Sequence, residues 1–224
     1  MAIGRLGIRS FPKRDRALQL IARHLPSVGY RRGDTLELRF NGPIGEFDSG
    51  GAGIFATAVE AILARNRAAP HIRCRINSGG GNLKQAERIY NLLRNSGAYV
   101  HTIAEQQCDS AATLILMAGD FRQAASVETH LLLHCADIDP DAEYRNRPPR
   151  WTAERHLSSA RAIKKWDRKL VNMYAERATA SANFFERELQ TETRLPIAIA
   201  RSWGVIHCLV GEETWRNGRP YYWP

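Results

Sequence analysis

The sequence contains no run of about 18 apolar residues, which excludes a membrane-spanning helix as its organising element. Cysteine is sparse. The four present (Cys74, Cys108, Cys135 and Cys208) include no CxxC pair and no repeated Cys/His spacing. A disulfide scaffold and a structural zinc site are therefore not expected, and free thiols in a reducing compartment are. Neither a Walker loop nor Gly-x-Gly-x-x-Gly occurs, and no cofactor or metal is expected. The first residues lack an apolar signal core, so the expected location is cytoplasmic. Acid is scarce at the start: residues 1–33 hold eight Lys/Arg against Asp15 alone. Such a basic arm suits an acidic partner, yet no aromatic interleaving or nucleic-acid motif accompanies it. A solvated, partly helical extension is expected, without nucleic acid or membrane as partner.

What is present fits one α/β domain. The chain has 224 residues, 44% hydrophobic and 25% charged, with net charge +9. That length supports one large core but not two comfortable domains. Alternating patterns predict strands over 35–40, 71–76, 98–104, 124–127, 131–133 and 205–210. Helical spacing predicts helices over 15–24, 54–64, 83–94, 111–118, 152–177, 182–190 and 196–203. Strand and helix alternate from 35 to 134, which implies parallel strands with helical crossovers. Residues 136–151 form a polar, Pro-rich loop. The expected division is a basic extension over 1–33, a domain over 34–214 and an aromatic tail over 215–224.

Three places carry candidate chemistry. Asn77-Ser78-Gly79-Gly80-Gly81 follows a strand and precedes a helix, where glycines permit positive φ and exposed N–H groups face negative charge. The turn serves as a phosphate cradle, an oxyanion hole or a plain tight turn. Ser110 stands at the start of an apolar helix, where the helix dipole favours negative charge on its Oγ. N-capping is the commoner fate of a serine there. His134 follows the apolar strand Leu131-Leu132-Leu133, a place for a base at a sheet edge and equally for a structural histidine.

Order and spacing join these places. Ile76-Asn77-Ser78-Gly79-Gly80-Gly81, then Ser110 ahead of Ala111-Ala112, then Leu131-Leu132-Leu133-His134 resemble the proteolytic subunits of the Clp protease. These are barrel-forming serine peptidases of the ClpP/crotonase fold. The family shows Ile-Asn-Ser-Pro-Gly-Gly, a Ser among small residues and a hydrophobic run ending in His. Ala118-Gly119-Asp120 resembles the Ala-Gly segment between Ser and His, and Trp203-Gly204-Val205-Ile206 the late Tyr-Gly-Leu-Val. The likeness spans about residues 35–210. Registered on Gly204, the stretch Glu192-Thr193-Arg194-Leu195-Pro196 falls on the family's Asp-Arg-Phe-Leu/Met-Ser, and Glu192 takes the aspartate's place. Glu188 is the alternative, one turn earlier.

The resemblance implies a spiral of β-α-β units with a protruding long handle helix. It also implies peptide hydrolysis through an acyl-enzyme. Ser110 would be the nucleophile, His134 the base and Glu192 the acid that holds the imidazole. Gly80, Gly81 and Ala111 would form the oxyanion hole. The implied partners are a peptide or unfolded protein substrate, further copies of the chain in a ring and an AAA+ unfoldase. Some residues depart from the pattern. Gly79 replaces proline and leaves the turn less pre-set. Cys108 and Asp109 stand where the family has small residues, so a carboxylate beside the nucleophile would bear on the histidine or obstruct the site. The loop over 135–150 is longer than the family's, and the basic arm does not resemble its axial loop. Two other readings use the same fold: a non-catalytic Clp-like subunit, and a crotonase-type acyl-CoA enzyme. The latter leaves Ser110, His134 and Glu192 without a task.

Overall fold

The computed structural model describes residues 30–32, 34–45, 53–137, 152–212, 214–216 and 219–221. The expected helix over 15–24, the basic arm and most of the loop over 136–151 lie outside these residues. Two strands come first, β1 (Tyr30–Arg32) and β2 (Thr35–Asn41). Helix α1 (Ala56–Arg65) leads to β3 (His71–Ser78), α2 (Leu83–Arg94) and β4 (Tyr99–Asp109). Next come α3 (Ala111–Met117), β5 (Phe121–Ala124) and β6 (His130–Leu133). The long α4 (Ala153–Ala175) precedes α5 (Ala182–Glu188), β7 (Thr193–Arg194), α6 (Ile197–Ser202) and β8 (Cys208–Leu209). A separate antiparallel hairpin, β9 (Thr214–Arg216) with β10 (Arg219–Tyr221), ends the described chain.

The sheet runs β1-β2-β3-β4-β5-β8, and β6 branches from β4 to carry β7. Strands β2 to β5 and β8 are parallel, as the crossovers require. Strand β4 is long because it serves two partners. Its residues His101–Ala104 pair with β5, and Gln107, Cys108 and Asp109 pair with β6. Between these stretches the register against β3 shifts, Ile76 facing Ala104 but Ser78 facing Cys108. The irregularity bends the strand and re-aims the residues beyond it, the usual work of a bulge. Ser110 is the first residue past the end of this bent strand.

Alternation fixes the faces. Ile72, Cys74, Ile76 and Ser78 of β3 are buried, while the residues between them are half-exposed. Ile72, Cys74 and Ile76 share one buried core with Leu36, Leu38 and Phe40 of β2 and with Ala86, Ile89 and Leu93 of α2. Every residue of α3 is buried. Leu114, Ile115 and Leu116 each remove a full side chain from water, worth about 1.5–3 kcal/mol apiece. Asn82 caps α2 by accepting from the Gln85 N–H, and Thr152 caps α4 in the same way from Arg155. Helix α4 is buried only toward its end, at Leu170, Met173 and Tyr174, while Leu157 is 58% exposed.

Two boundaries differ from expectation. The strand expected over 124–127 lies at Phe121–Ala124, and Val127 is exposed. The misleading residue is Arg122, which reads as surface yet is 3% exposed. Its guanidinium donates to the carbonyls of Gly119, Arg177, Gly204 and Val205, so its burial is satisfied. The strand expected over 205–210 shrinks to Cys208–Leu209. Gly204, at φ +75°, turns the chain beside Thr179, where any Cβ would stand 2.6 Å from the Thr179 nitrogen. Among the described residues, no helix is long and apolar enough to cross a membrane.

Candidate active site

Ser110 follows β4 and precedes α3 with φ 52° and ψ −127°. It is the sole non-glycine at positive φ among the described residues. Such a conformation costs on the order of 1–3 kcal/mol and persists only where neighbours hold it. Here the Ser110 N–H donates to the Leu132 carbonyl at 2.8 Å, and the Ser110 carbonyl accepts from Thr113 N at 3.0 Å and Thr113 Oγ1 at 2.6 Å. Thr113 Oγ1 also meets the buried Tyr174 hydroxyl of α4.

The side chain does not cap its helix. Instead Ser110 Oγ lies 2.7 Å from His134 Nε2. Because β6 runs parallel beside the end of β4, a histidine just beyond β6 arrives alongside a serine just beyond β4. The main chain after His134 is tied on two sides. Cys135 N–H donates to the Leu189 carbonyl at 2.7 Å, and Ala136 N–H donates to Asp167 Oδ1 of α4 at 2.8 Å.

The glycine turn lies against the serine. A Cβ on Gly80 would stand 2.8 Å from both Asp109 O and Ser110 Cβ, and φ there is +99°. The Gly80 N–H donates to Ser78 Oγ at 3.1 Å. Gly81 is different. It bridges Ile44 in parallel fashion, with Ile44 N donating to Gly80 O and Asn82 N donating to Ile44 O. That pattern leaves the N–H of Gly81 directed away from Ile44. The Ala111 N–H belongs to the first turn of α3, where intrahelical acceptors do not exist. Among the described residues neither group has an acceptor.

Asp109 neither obstructs Ser110 nor faces His134. Its side chain, 8% exposed, turns to His130, with Oδ1 2.7 Å from Nδ1. Its other oxygen accepts from Gln107 Nε2 at 2.6 Å. The sequence alone did not reveal this arrangement, although the spacing of Gln107 and Asp109 on one face of a strand was a signal for it. Cys108 is fully buried, and burial, aided by the charge of Asp109, holds its thiol well above its usual range. Such a thiol stays protonated and is a poor nucleophile.

Glu192 is exposed and makes no hydrogen bond to His134 among the described residues. Strand β7 pairs antiparallel with β6, Leu132 opposite Arg194 and Leu133 opposite Thr193. Glu192 precedes Thr193 and His134 follows Leu133, so each lies one residue past this pairing. Glu188 ends α5 one turn earlier. The described residues contain no group of three or more His, Cys, Asp or Glu placed to hold a metal.

The sequence model of the Clp protease matches residues 55–213, well over half of the chain. The chain belongs to the Clp protease family. Among solved structures, a ClpP1 mutant from Listeria monocytogenes is similar with a TM-score of 0.62 at 16% identity, covering 88% of this chain and 96% of that one. The likeness establishes the ClpP/crotonase-like fold expected from the sequence, with parallel β-α-β units. The matched range spans the glycine turn, Ser110, His134 and Glu192.

Proposed function

We propose that this Clp protease family member is a serine endopeptidase in which Ser110 attacks, His134 shuttles the proton and Glu192 orients the imidazole. The observation that carries the reading is the 2.7 Å contact of His134 Nε2 with a Ser110 Oγ that has given up helix capping. As Ser110 Oγ bonds to the peptide carbonyl carbon, its proton passes to Nε2. The carbonyl becomes an oxyanion, within reach of the N–H groups of Gly81 and Ala111. Donors of this kind contribute about 3 kcal/mol each. The C–N bond then breaks, and His134 returns the proton to the departing amine. Water, deprotonated by the same nitrogen, releases the acyl group and restores Ser110. Gly80 is assigned a different task from its neighbour: with its N–H engaged by Ser78, it provides the close approach beneath Ser110.

The working form is a homo-oligomeric ring acting on unfolded chain supplied by an AAA+ unfoldase. Family membership supports this, as does the exposed half of α4, where Leu157 is 58% exposed. Turnover of a fluorogenic peptide, lost in His134→Ala, tests the chemistry. Native mass at micromolar concentration tests the ring. No turnover by any oligomeric form would overturn the peptidase reading, and a monomer would overturn the assembly.

A further inference from the structure

We infer that Asp109 and His130 are positioning residues, a half-buried cross-strand pair that fixes Ser110 in its strained conformation and sets its distance from His134. The inference rests on the peptidase reading and deepens it.

The geometry runs through both strands that carry the site. Asp109 is the last residue of β4 and immediately precedes Ser110; His130 is the first residue of β6, and His134 follows that strand's end. Gln107 is directly paired with His130, and Asp109 with Leu132. The contact of Asp109 Oδ1 with His130 Nδ1 at 2.7 Å therefore crosses the ladder diagonally. It resists sliding of β4 along β6. Sliding is the motion that would part Ser110 from His134, because each lies just past the end of one of these strands.

The same cluster reaches the glycine turn. Gln107 Nε2 donates to Asp109 Oδ2 at 2.6 Å, and Gln107 N donates to Asn77 Oδ1 at 3.2 Å. A Cβ on Gly79 would stand 3.4 Å from Gln107 Nε2. The Asp109 carbonyl lies against Gly80. One carboxylate is thus bonded to the second strand and to a glutamine that holds the turn. The residue after it, Ser110, is the one non-glycine at positive φ among the described residues. A strained nucleophile needs neighbours that over-determine it. An acceptor that is nearly buried also cannot lose its donors cheaply.

A strut of this kind acts on the rate of attack more than on substrate binding. Asp109→Ala and His130→Ala are each expected to lower kcat for a fluorogenic peptide about tenfold with KM within about twofold. Labelling of Ser110 by a fluorophosphonate should slow by the same factor. His130→Asn keeps a side-chain N–H at the position of Nδ1 and is expected to restore most of the rate. The double variant Asp109→Ala/His130→Ala should be no slower than either single one, because each removes the same contact. Melting temperature and native mass of every variant establish that it is folded and assembled. Folded variants with kcat and labelling within about twofold of wild type would overturn the inference while leaving the peptidase reading intact. A His130→Asn enzyme as slow as His130→Ala would overturn it too. A wild-type enzyme that neither turns over peptide nor labels would overturn the peptidase reading, and this inference with it.

Discussion

Gly80 lies so close beneath Ser110 that a Cβ built on it would stand 2.8 Å from the serine's own Cβ. Two segments remote in sequence thus interlock through the absence of one methyl group. At φ +99° alanine would be strained as well as crowded. Gly80→Ala is expected to abolish peptide turnover and to lower stability by about 1–3 kcal/mol. Chemical denaturation alongside the peptide assay checks both effects. Retained turnover would show that the turn does not govern the geometry of Ser110.

Glu192 tests the third position. It directly precedes Thr193, which pairs with Leu133, the residue before His134. Glu192→Gln keeps the shape and removes the charge, and is expected to lower kcat about tenfold or more, with KM little changed. Glu192→Asp should retain more activity than Glu192→Gln. Equal activity of all three enzymes would remove Glu192 from the mechanism.

His101 gives a pH dependence of stability. It is 2% exposed, and its Nε2 lies 2.8 Å from Gln123 Oε1. Burial, with Arg73 and Arg75 adding to it and the Gln123 bond opposing, pushes its pKa down to about 4 from the ordinary 6.5. The unfolded chain therefore binds a proton at a pH where the folded chain does not. Stability from this group is complete above about pH 6.5 and is lost as pH falls toward about 4. Between about pH 7 and pH 5 the loss is about 2 kcal/mol. Urea unfolding at the two pH values should show this slope in wild type and a shallower one in His101→Gln. Identical slopes would refute the assignment.

Arg122 anchors β5 to the chain beyond α6. Its guanidinium serves four backbone carbonyls and contacts His207 Nε2 at 3.1 Å. Arg122→Met would leave the Arg177, Gly204 and Val205 carbonyls without this donor, while Gly119 keeps its bond from Arg177. A loss of about 3 kcal/mol or more is expected, read as a lower melting temperature. An unchanged melting temperature would show that the carbonyls find other donors.

The contrast between Ser110 and Arg122 shows what the sequence could reveal. Ser110, His134 and the glycine turn were legible because each sits where local pattern changes, from strand to helix or from strand to loop. The parallel β-α-β order was legible for the same reason. Arg122 was not, because its burial depends on carbonyls contributed by segments far along the chain. Strands β1 and β7 are too short to show a period; pairing with β2 and β6 defines them. Asp109 misled most: beside Ser110 it reads as a disturbance, and only its bond to His130, across the ladder, shows where its charge is directed.

The most direct test is intact-mass analysis after exposure to a fluorophosphonate, with peptide mapping of the labelled chain. The account predicts one adduct per chain on Ser110, absent in Ser110→Ala and strongly slowed in His134→Ala. An assembled protein that takes up no adduct, or whose adduct persists in Ser110→Ala, would contradict it.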